Sequence, residues 1–180
     1  MNPDTLLAAM LAERERRAER RAALSAECGA TVVQLTICAP GVRKDGADIR
    51  RAARYGAALL EKVLAERGLR TLHGESRDGE AGPCWLWVVE AEASLVKGVA
   101  VGLENGYSLG RLWDFDVYGP EGSKLDRESV GSDARTCFVC GSPAAVCAGR
   151  RLHEPTEVAR RFSELLERGM VELDSKGDIA

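Results

Sequence analysis

No window of this chain approaches the roughly 18 consecutive apolar residues that a membrane-crossing helix requires. Met1 to Met10 lacks both the basic start and the longer apolar run of a secretory leader. The protein is therefore expected in the cytoplasm, with no membrane partner. The sequence also lacks a charge excess: 25 Lys and Arg against 28 Asp and Glu leave a net charge of -3. Nothing in that balance pulls the chain toward nucleic acid or an anionic lipid surface, so any phosphate-binding surface has to be built locally. A disulfide framework is not expected either, because six cysteines in a cytosolic chain are thiols or metal ligands more readily than bridges.

What remains is ordinary globular material. With 180 residues, 45% hydrophobic and 29% charged, the chain is long enough for one well-cored domain. The expected plan is a single domain over residues 1–180, made of an N-terminal helix (5–27), an α+β core (31–127) and a Cys/His segment with a C-terminal helix (135–170).

The N-terminal helix, from Thr5 to about Ala26, opens with Leu6, Leu7, Met10 and Leu11 and continues into a charged run. Arg14, Arg16, Arg17, Arg20 and Arg21 interleave there with Glu13, Glu15 and Glu19. Glu13 faces Arg17 at i,i+4, but Glu15 faces Glu19, so the arginines are not fully neutralised by neighbours. The run reads as a solvated helix face or, alternatively, as a phosphate clamp, for which the guanidinium fork is suited.

Thr31 to Ala39 (TVVQLTICA) alternates and is rich in β-branched residues, which predicts a strand stopped by Pro40-Gly41. Lys44 follows in the loop, and Asp45 is placed to cap a helix whose apolar positions run from Ile49 to Val63 and end at Gly68. A glycine-containing loop with a lysine ahead of a helix N-terminus is a weak anion-site pattern. Arg70–Glu75 and Cys84–Glu90 read as a hairpin, Ala91 to about Asn105 as a helix, and Gly110–Val117 as the next strand, turning toward a short strand near Lys124–Arg127. A last helix is expected from Pro155 to Arg168, closed by Gly169, with a frayed polar end through Ala180. The order is β-α-β-β-α-β, the split βαβ unit of the ferredoxin-like class. In that class the first and last strands are antiparallel neighbours, which predicts Lys44 and Arg111 at one rim.

The octapeptide Gly110-Arg111-Leu112-Trp113-Asp114-Phe115-Asp116-Val117 carries the chemistry. At strand period Leu112, Asp114, Asp116 and Tyr118 point to one face, while Arg111, Trp113, Phe115 and Val117 point to the other. Carboxylates two residues apart on a strand have backbones about 6.5–7 Å apart. At about 6 Å and a dielectric near 20 their repulsion is roughly 3 kcal/mol, which a hard cation such as Mg²⁺ relieves while keeping positions for phosphate oxygens. The plain alternative is a half-buried strand with a solvated acidic face. Farther on, Cys137-x-x-Cys140, Cys147 and His153 can close a tetrahedral zinc site, or can be packed thiols beside an unrelated histidine. Cys28, Cys38 and Cys84 sit in apolar surroundings and read as core filler.

Gly110 to Val117 resembles the G-R-L-x-D-x-D-V signature of the citrate lyase holo-acyl-carrier-protein synthases, also called apo-citrate lyase phosphoribosyl-dephospho-CoA transferases. Arg14-Glu15-x-Arg17, Ala39-Pro40-Gly41 with Lys44-Asp45, Arg135 before Cys137-x-x-Cys140, and Cys147 with His153 are similar to family features in the same order. The resemblance spans about Leu11 to Leu166. It implies a nucleotidyltransferase-type enzyme that moves a prosthetic group from triphosphoribosyl-dephospho-CoA to a serine of the acyl carrier (gamma) subunit of citrate lyase, with pyrophosphate as leaving group. It implies Mg²⁺ or Mn²⁺ on Asp114 and Asp116, catalysis by these two with Arg111, and substrate binding by Lys44, Arg14, Arg17, Gly110 and Arg135. A structural Zn²⁺ would lie on Cys137, Cys140, Cys147 and His153. Where family members often carry His-Pro, this chain has Tyr107-Ser108, which leaves the general base open. Two other readings stand beside it: a non-catalytic, zinc-stabilised adaptor for the carrier subunit, and the same chemistry on a related lyase or decarboxylase carrier.

Overall fold

The structure, a computed structural model, describes residues 3–176. The chain runs α1 (Pro3–Cys28), β1 (Thr31–Ile37), α2 (Ala47–Glu66), β2 (Arg70–Arg77), β3 (Cys84–Glu90), α3 (Ala93–Gly106), β4 (Trp113–Tyr118), β5 (Lys124–Leu125), α4 (Ala144–Arg150) and α5 (Pro155–Lys176), with a 3₁₀ turn over Ser108–Leu112 before β4. This is an α+β fold around one antiparallel sheet of order β2-β3-β1-β4-β5. No helix among the described residues is long and apolar enough to cross a membrane.

Strand alternation decides what each face of the sheet does. Val33, Leu35, Trp87, Val89, Trp113, Phe115 and Val117 enter the main core, where α2, α3 and α5 contribute Ile49, Leu60, Val96, Leu103, Phe162 and Leu166. The other face is apolar only at one end, where Val32, Leu86, Val88 and Tyr118 pack with Leu24 of α1. Toward the C-terminal end of β1 that face turns polar, with Gln34 beside Asp116 and Thr36 beside Asp114 across the β1–β4 ladder. α1 therefore lies over a sheet face that it seals at one end and leaves open at the other.

The outer edge of β4 is closed by charge rather than by a strand. β5 pairs only with Val117 and Tyr118, which leaves the Phe115 peptide groups without a ladder partner. Two buried α3 side chains supply one: Glu104 Oε1 accepts the Phe115 N–H at 2.8 Å, and Lys97 Nζ donates to the Phe115 carbonyl at 3.1 Å. Buried main-chain groups are thereby satisfied, and the edge offers no template to another chain.

Several expected boundaries move. The strand expected from Gly110 begins at Trp113. Gly110 belongs to the 3₁₀ turn, where any Cβ would collide with the carbonyls of Leu103 and Glu104. β5 stops at Leu125 instead of Arg127, β2 extends to Arg77, and α3 spans Ala93–Gly106. Asp45 does not cap α2: Gly46 holds the N-cap position, and the Asp45 carboxylate takes the Gly46 N–H and the Arg50 guanidinium. Gly169 does not end the last helix, which continues to Lys176. The glycine is there because a Cβ would meet the Leu109 side chain, and the turn beyond it buries Leu173. Of the end expected to fray, residues 177–180 lie outside the described residues. Of the three cysteines read as filler only Cys84 is buried; Cys28 is exposed and Cys38 is half-buried.

Candidate active site

A cleft of about 410 Å³ opens between α1 and the polar part of the sheet. Its floor is Gln34 and Thr36 of β1 with Asp114 and Asp116 of β4, and its wall is one stripe of α1, where Arg14, Arg17 and Arg21 recur at helical spacing. Cys38, Ala39, Lys44 and Ala81 close one end. Five residues singled out from the sequence thus meet here: Arg14, Arg17, Lys44, Asp114 and Asp116.

They do not do the same work. Arg14 makes no hydrogen bond or ion pair among the described residues. Among the described residues Lys44 donates only to the Ala39 carbonyl; burial lowers its pKa, and the Arg14 charge lowers it further. Two cations with no acid between them form a seat for an anion. Arg17, by contrast, is 8% exposed and already engaged: it donates to the carbonyls of Ala81 and Gly82, and its Nε lies 3.4 Å from Glu13 Oε1. Burial by itself would raise the Glu13 carboxyl, but Arg16, Arg17 and Arg77 outweigh it and hold the group below the ordinary range. Arg17 is therefore a strut that ties α1 to the β2–β3 loop.

On the floor, burial raises Asp114 above the ordinary carboxylate range, and the Asp116 charge adds to the shift against Arg135 and Lys124. Arg135 Nη2 lies 3.4 Å from Asp114 Oδ1, and Lys124 Nζ lies 2.6 Å from Asp116 Oδ1. The acid pair is partly neutralised by protein cations, yet Asp114 keeps an unfavourable charge. Across the cleft from this acid pair stand the cations of Arg14, Arg21 and Lys44. Burial and the Asp114 charge push the Cys38 thiol up to about 12, which favours its neutral form in the cleft lining.

Arg111 and Gly110 are not in this cleft. They line a separate one of about 230 Å³ with Arg127, Arg135 and Thr136. Lys44 lines the aspartate cleft and Arg111, on the 3₁₀ turn, lines the second one, so the two do not share a single rim. Arg135 stands between the two clefts: it holds Asp114 on one side and lines the Arg111 cleft on the other, anchored by Glu104 and, at 2.6 Å, by the Trp113 carbonyl. Tyr107 and Ser108 lie away from both. The Tyr107 ring stacks near Tyr55 and Trp113, and Ser108 donates to Glu172 on α5. Neither residue lines the aspartate cleft.

Arg21, Gln34, Thr36 and Lys124 were not singled out as site residues. Arg21 donates to Gln34 Oε1 at 3.0 Å and lies 4.0 Å over the Tyr118 ring. A signal for this set was present in the break of the β1 pattern, where Val32 gives way to Gln34, Thr36 and Cys38 at period two, and in Arg21 lying seven residues after Arg14.

A second centre is built from the Cys/His segment. One ligand atom from each of Cys137, Cys140, Cys147 and His153 lies within 4.8 Å of the others, and Cys140 Sγ is 3.5 Å from Cys147 Sγ. In a tetrahedral zinc–thiolate site with bonds of about 2.3 Å the sulfur–sulfur edge is about 3.8 Å. The Cys137–Cys140 knuckle is held by Val139 N–H on Cys137 Sγ at 3.4 Å and by Cys137 N–H on the Ser142 carbonyl at 2.6 Å. Among the described residues His153 Nε2 is buried without a hydrogen-bond partner, which leaves it available to a ligand. Hydrogen bonding by Ser142 draws the Cys140 thiol down to about 6, toward the thiolate a metal takes. The cluster can bind a metal such as zinc.

Residues 5–169 match the family model described as apo-citrate lyase phosphoribosyl-dephospho-CoA transferase. Proteins of that name from Escherichia coli O7:K1 (strain IAI39 / ExPEC), Escherichia coli O8 (strain IAI1) and Shigella boydii serotype 18 (strain CDC 3083-94 / BS512) are each 32% identical to this chain over 157 residues, covering 87% of it and 86% of the relative.

Proposed function

This chain belongs to the apo-citrate lyase phosphoribosyl-dephospho-CoA transferase family, and on that premise we propose that it transfers the phosphoribosyl-dephospho-CoA group to apo-citrate lyase in the cytoplasm. The donor is triphosphoribosyl-dephospho-CoA, and the acceptor is a serine hydroxyl of the acyl carrier (gamma) subunit. The serine oxygen bonds to the α-phosphorus as the bond from that phosphorus to the β-bridging oxygen breaks. The hydroxyl proton is released and pyrophosphate leaves with the electron pair.

The observation that carries this reading is the gathering of Asp114 and Asp116 opposite Arg14, Arg21 and Lys44 in one cleft. Asp114 and Asp116 would hold Mg²⁺ or Mn²⁺, which supplies charge neutralisation on the transferring phosphate and the leaving group. Arg14 and Lys44, free of carboxylate partners among the described residues, receive the outer phosphate oxygens, while Arg17 keeps α1 at the distance that makes the cleft. Arg135 meets Asp114 from behind and fixes its orientation. The antiparallel order β2-β3-β1-β4, crossed by α2 and α3, supports the ferredoxin-like split β-α-β-β-α-β reading of the core. The Cys137, Cys140, Cys147 and His153 cluster supports a structural Zn²⁺ that pins the segment bearing Arg135.

Incubating purified apo carrier subunit with donor, Mg²⁺ and this protein should add the mass of one prosthetic group to the carrier and release one pyrophosphate. Zinc in the protein without any metal-dependent loading would leave the adaptor reading. Loading of a related lyase or decarboxylase carrier in preference to that of citrate lyase would keep the chemistry and change the partner.

A further inference from the structure

Arg111 is half-buried with its guanidinium 4.8 Å from the centroid of the Phe138 ring, and it makes no hydrogen bond or ion pair among the described residues. A guanidinium stacked on an aromatic face is held in place with its edge donors free. Those donors border the 230 Å³ cleft that Arg127, Arg135 and Thr136 also line. Arg127 and Arg135 share the one carboxylate of Glu104, and the other acid of the cleft, Asp133, is on its exposed side. The cleft is therefore cationic on balance. Burial lowers the Arg111 pKa, and the charges of Arg135 and Arg127 lower it further, as expected of a cation lacking its counter-ion.

We propose that this cleft is a second anion subsite that takes a diphosphate group, with Arg111 as its principal donor. The proposal rests on the transferase reading, in which two diphosphates are at hand: the one inside the dephospho-CoA half of the donor and the pyrophosphate released. A diphosphate presents several oxygens to the Arg111 fork and the Thr136 hydroxyl at once, which a single carboxylate does not. Arg135 is the partition between this subsite and the aspartate cleft, so a donor that fills both places its two polyphosphate groups on either side of one guanidinium.

Calorimetric titration of the full-length protein with dephospho-CoA and, separately, with inorganic pyrophosphate, both without added divalent metal, tests this. Arg111→Ala should weaken binding at least about tenfold, the loss of one charge-assisted contact. Arg111→Lys should recover part of it, and Asp114→Asn should bind no more weakly than the wild type. Arg111 dependence with dephospho-CoA assigns the subsite to the donor's own diphosphate, and dependence with pyrophosphate alone assigns it to the leaving group; either supports the subsite. Equal affinities of wild type and Arg111→Ala for both probes, with matching melting temperatures, overturn it. Carrier loading by the same preparations answers the other question: binding that depends on Arg111 without any loading retains the anion subsite and removes the transferase reading.

Discussion

Arg135 lies 3.4 Å from Asp114, and the same guanidinium is held by Glu104 and by the Trp113 carbonyl. One side chain from the Cys/His segment is thereby locked to α3, to the start of β4 and to the acid pair. The consequence is that the aspartate cleft is not a property of the sheet alone. Its electrostatics depend on an arginine delivered from a loop about 20 residues downstream, and that loop has little apolar core of its own to fix it.

The unfavourable charge on Asp114 separates stability from activity. Its folded-state pKa is raised, so the fold is favoured when the group is protonated, and this contribution is lost as pH rises through that pKa. Asp114→Asn should keep the shape and remove the penalty. Its melting temperature at pH 7 without divalent metal should rise by about 1–3 °C, while carrier loading falls at least about 100-fold, beyond the cost usual for an outer-shell metal partner. Loading at the wild-type rate would remove the acid from the mechanism.

Arg14 and Arg17 are three residues apart and should fail in different ways. Arg14 has no protein partner among the described residues, so Arg14→Ala should raise KM for the donor about 10-fold or more, the worth of a charge-assisted hydrogen bond, with the melting temperature unchanged. Arg17→Ala strips the buried Glu13 of one of its cations and frees the Ala81 and Gly82 carbonyls. It should cost about 3–5 kcal/mol of stability in denaturant unfolding, the range of a broken buried pair. Equal stability losses in the two variants would contradict this division.

Much of this was legible beforehand because it depends on local period. β3 was expected at Cys84–Glu90 and is found there, since a run bounded by Pro83 and rich in Trp and Val permits little else. The alternation that sets Asp114 and Asp116 against Trp113, Phe115 and Val117 is likewise a property of the pleat alone. What failed to show was anything set by contact with a distant element. Gly169 reads as a stop and is a point of close approach to Leu109; Arg17 reads as part of a solvated face or a phosphate clamp, and its contacts to two carbonyls 64 and 65 residues away have no local signal. The resemblance and the strand order group Arg111 with the aspartates, although its parity puts it on the other face, and it lines a separate cleft. Lys97 and Glu104 sit in a helix where nothing local signals that an unpaired strand edge needs them.

Acid should loosen α1 before the core. Arg20 lowers the Glu75 carboxyl to about 2, its hydrogen bonds outweighing burial, with His73 assisting. A carboxylate with a depressed folded pKa contributes stability that is complete above its ordinary value near 4.5 and is lost as pH falls toward about 2. The pair is near the surface, so the contribution is about 1 kcal/mol after screening. Arg20→Ala should raise the midpoint of acid unfolding, read by circular dichroism, and should change stability little below pH 2, where wild-type Glu75 is also protonated. A variant with the wild-type acid midpoint would show that this contact does not hold α1.

Metal removal should reach the acid pair through Arg135. The Ala144 N–H donates to the Arg135 carbonyl at 2.7 Å, and Thr136 bridges Pro143, so the loop carrying the guanidinium is closed directly onto the Cys137–Cys140 knuckle. Elemental analysis should find about one zinc per chain, the content of a single four-ligand site. Its extraction by a strong chelator, or Cys137→Ser, should lower the melting temperature by about 5 °C or more, since a structural zinc site contributes its binding energy to folding. Carrier loading should fall with it even when Mg²⁺ is restored, and Arg135→Ala should reproduce the loss of loading while keeping the zinc. Complete extraction that leaves both melting and loading unchanged would separate the two centres and return Arg135 to the sheet alone.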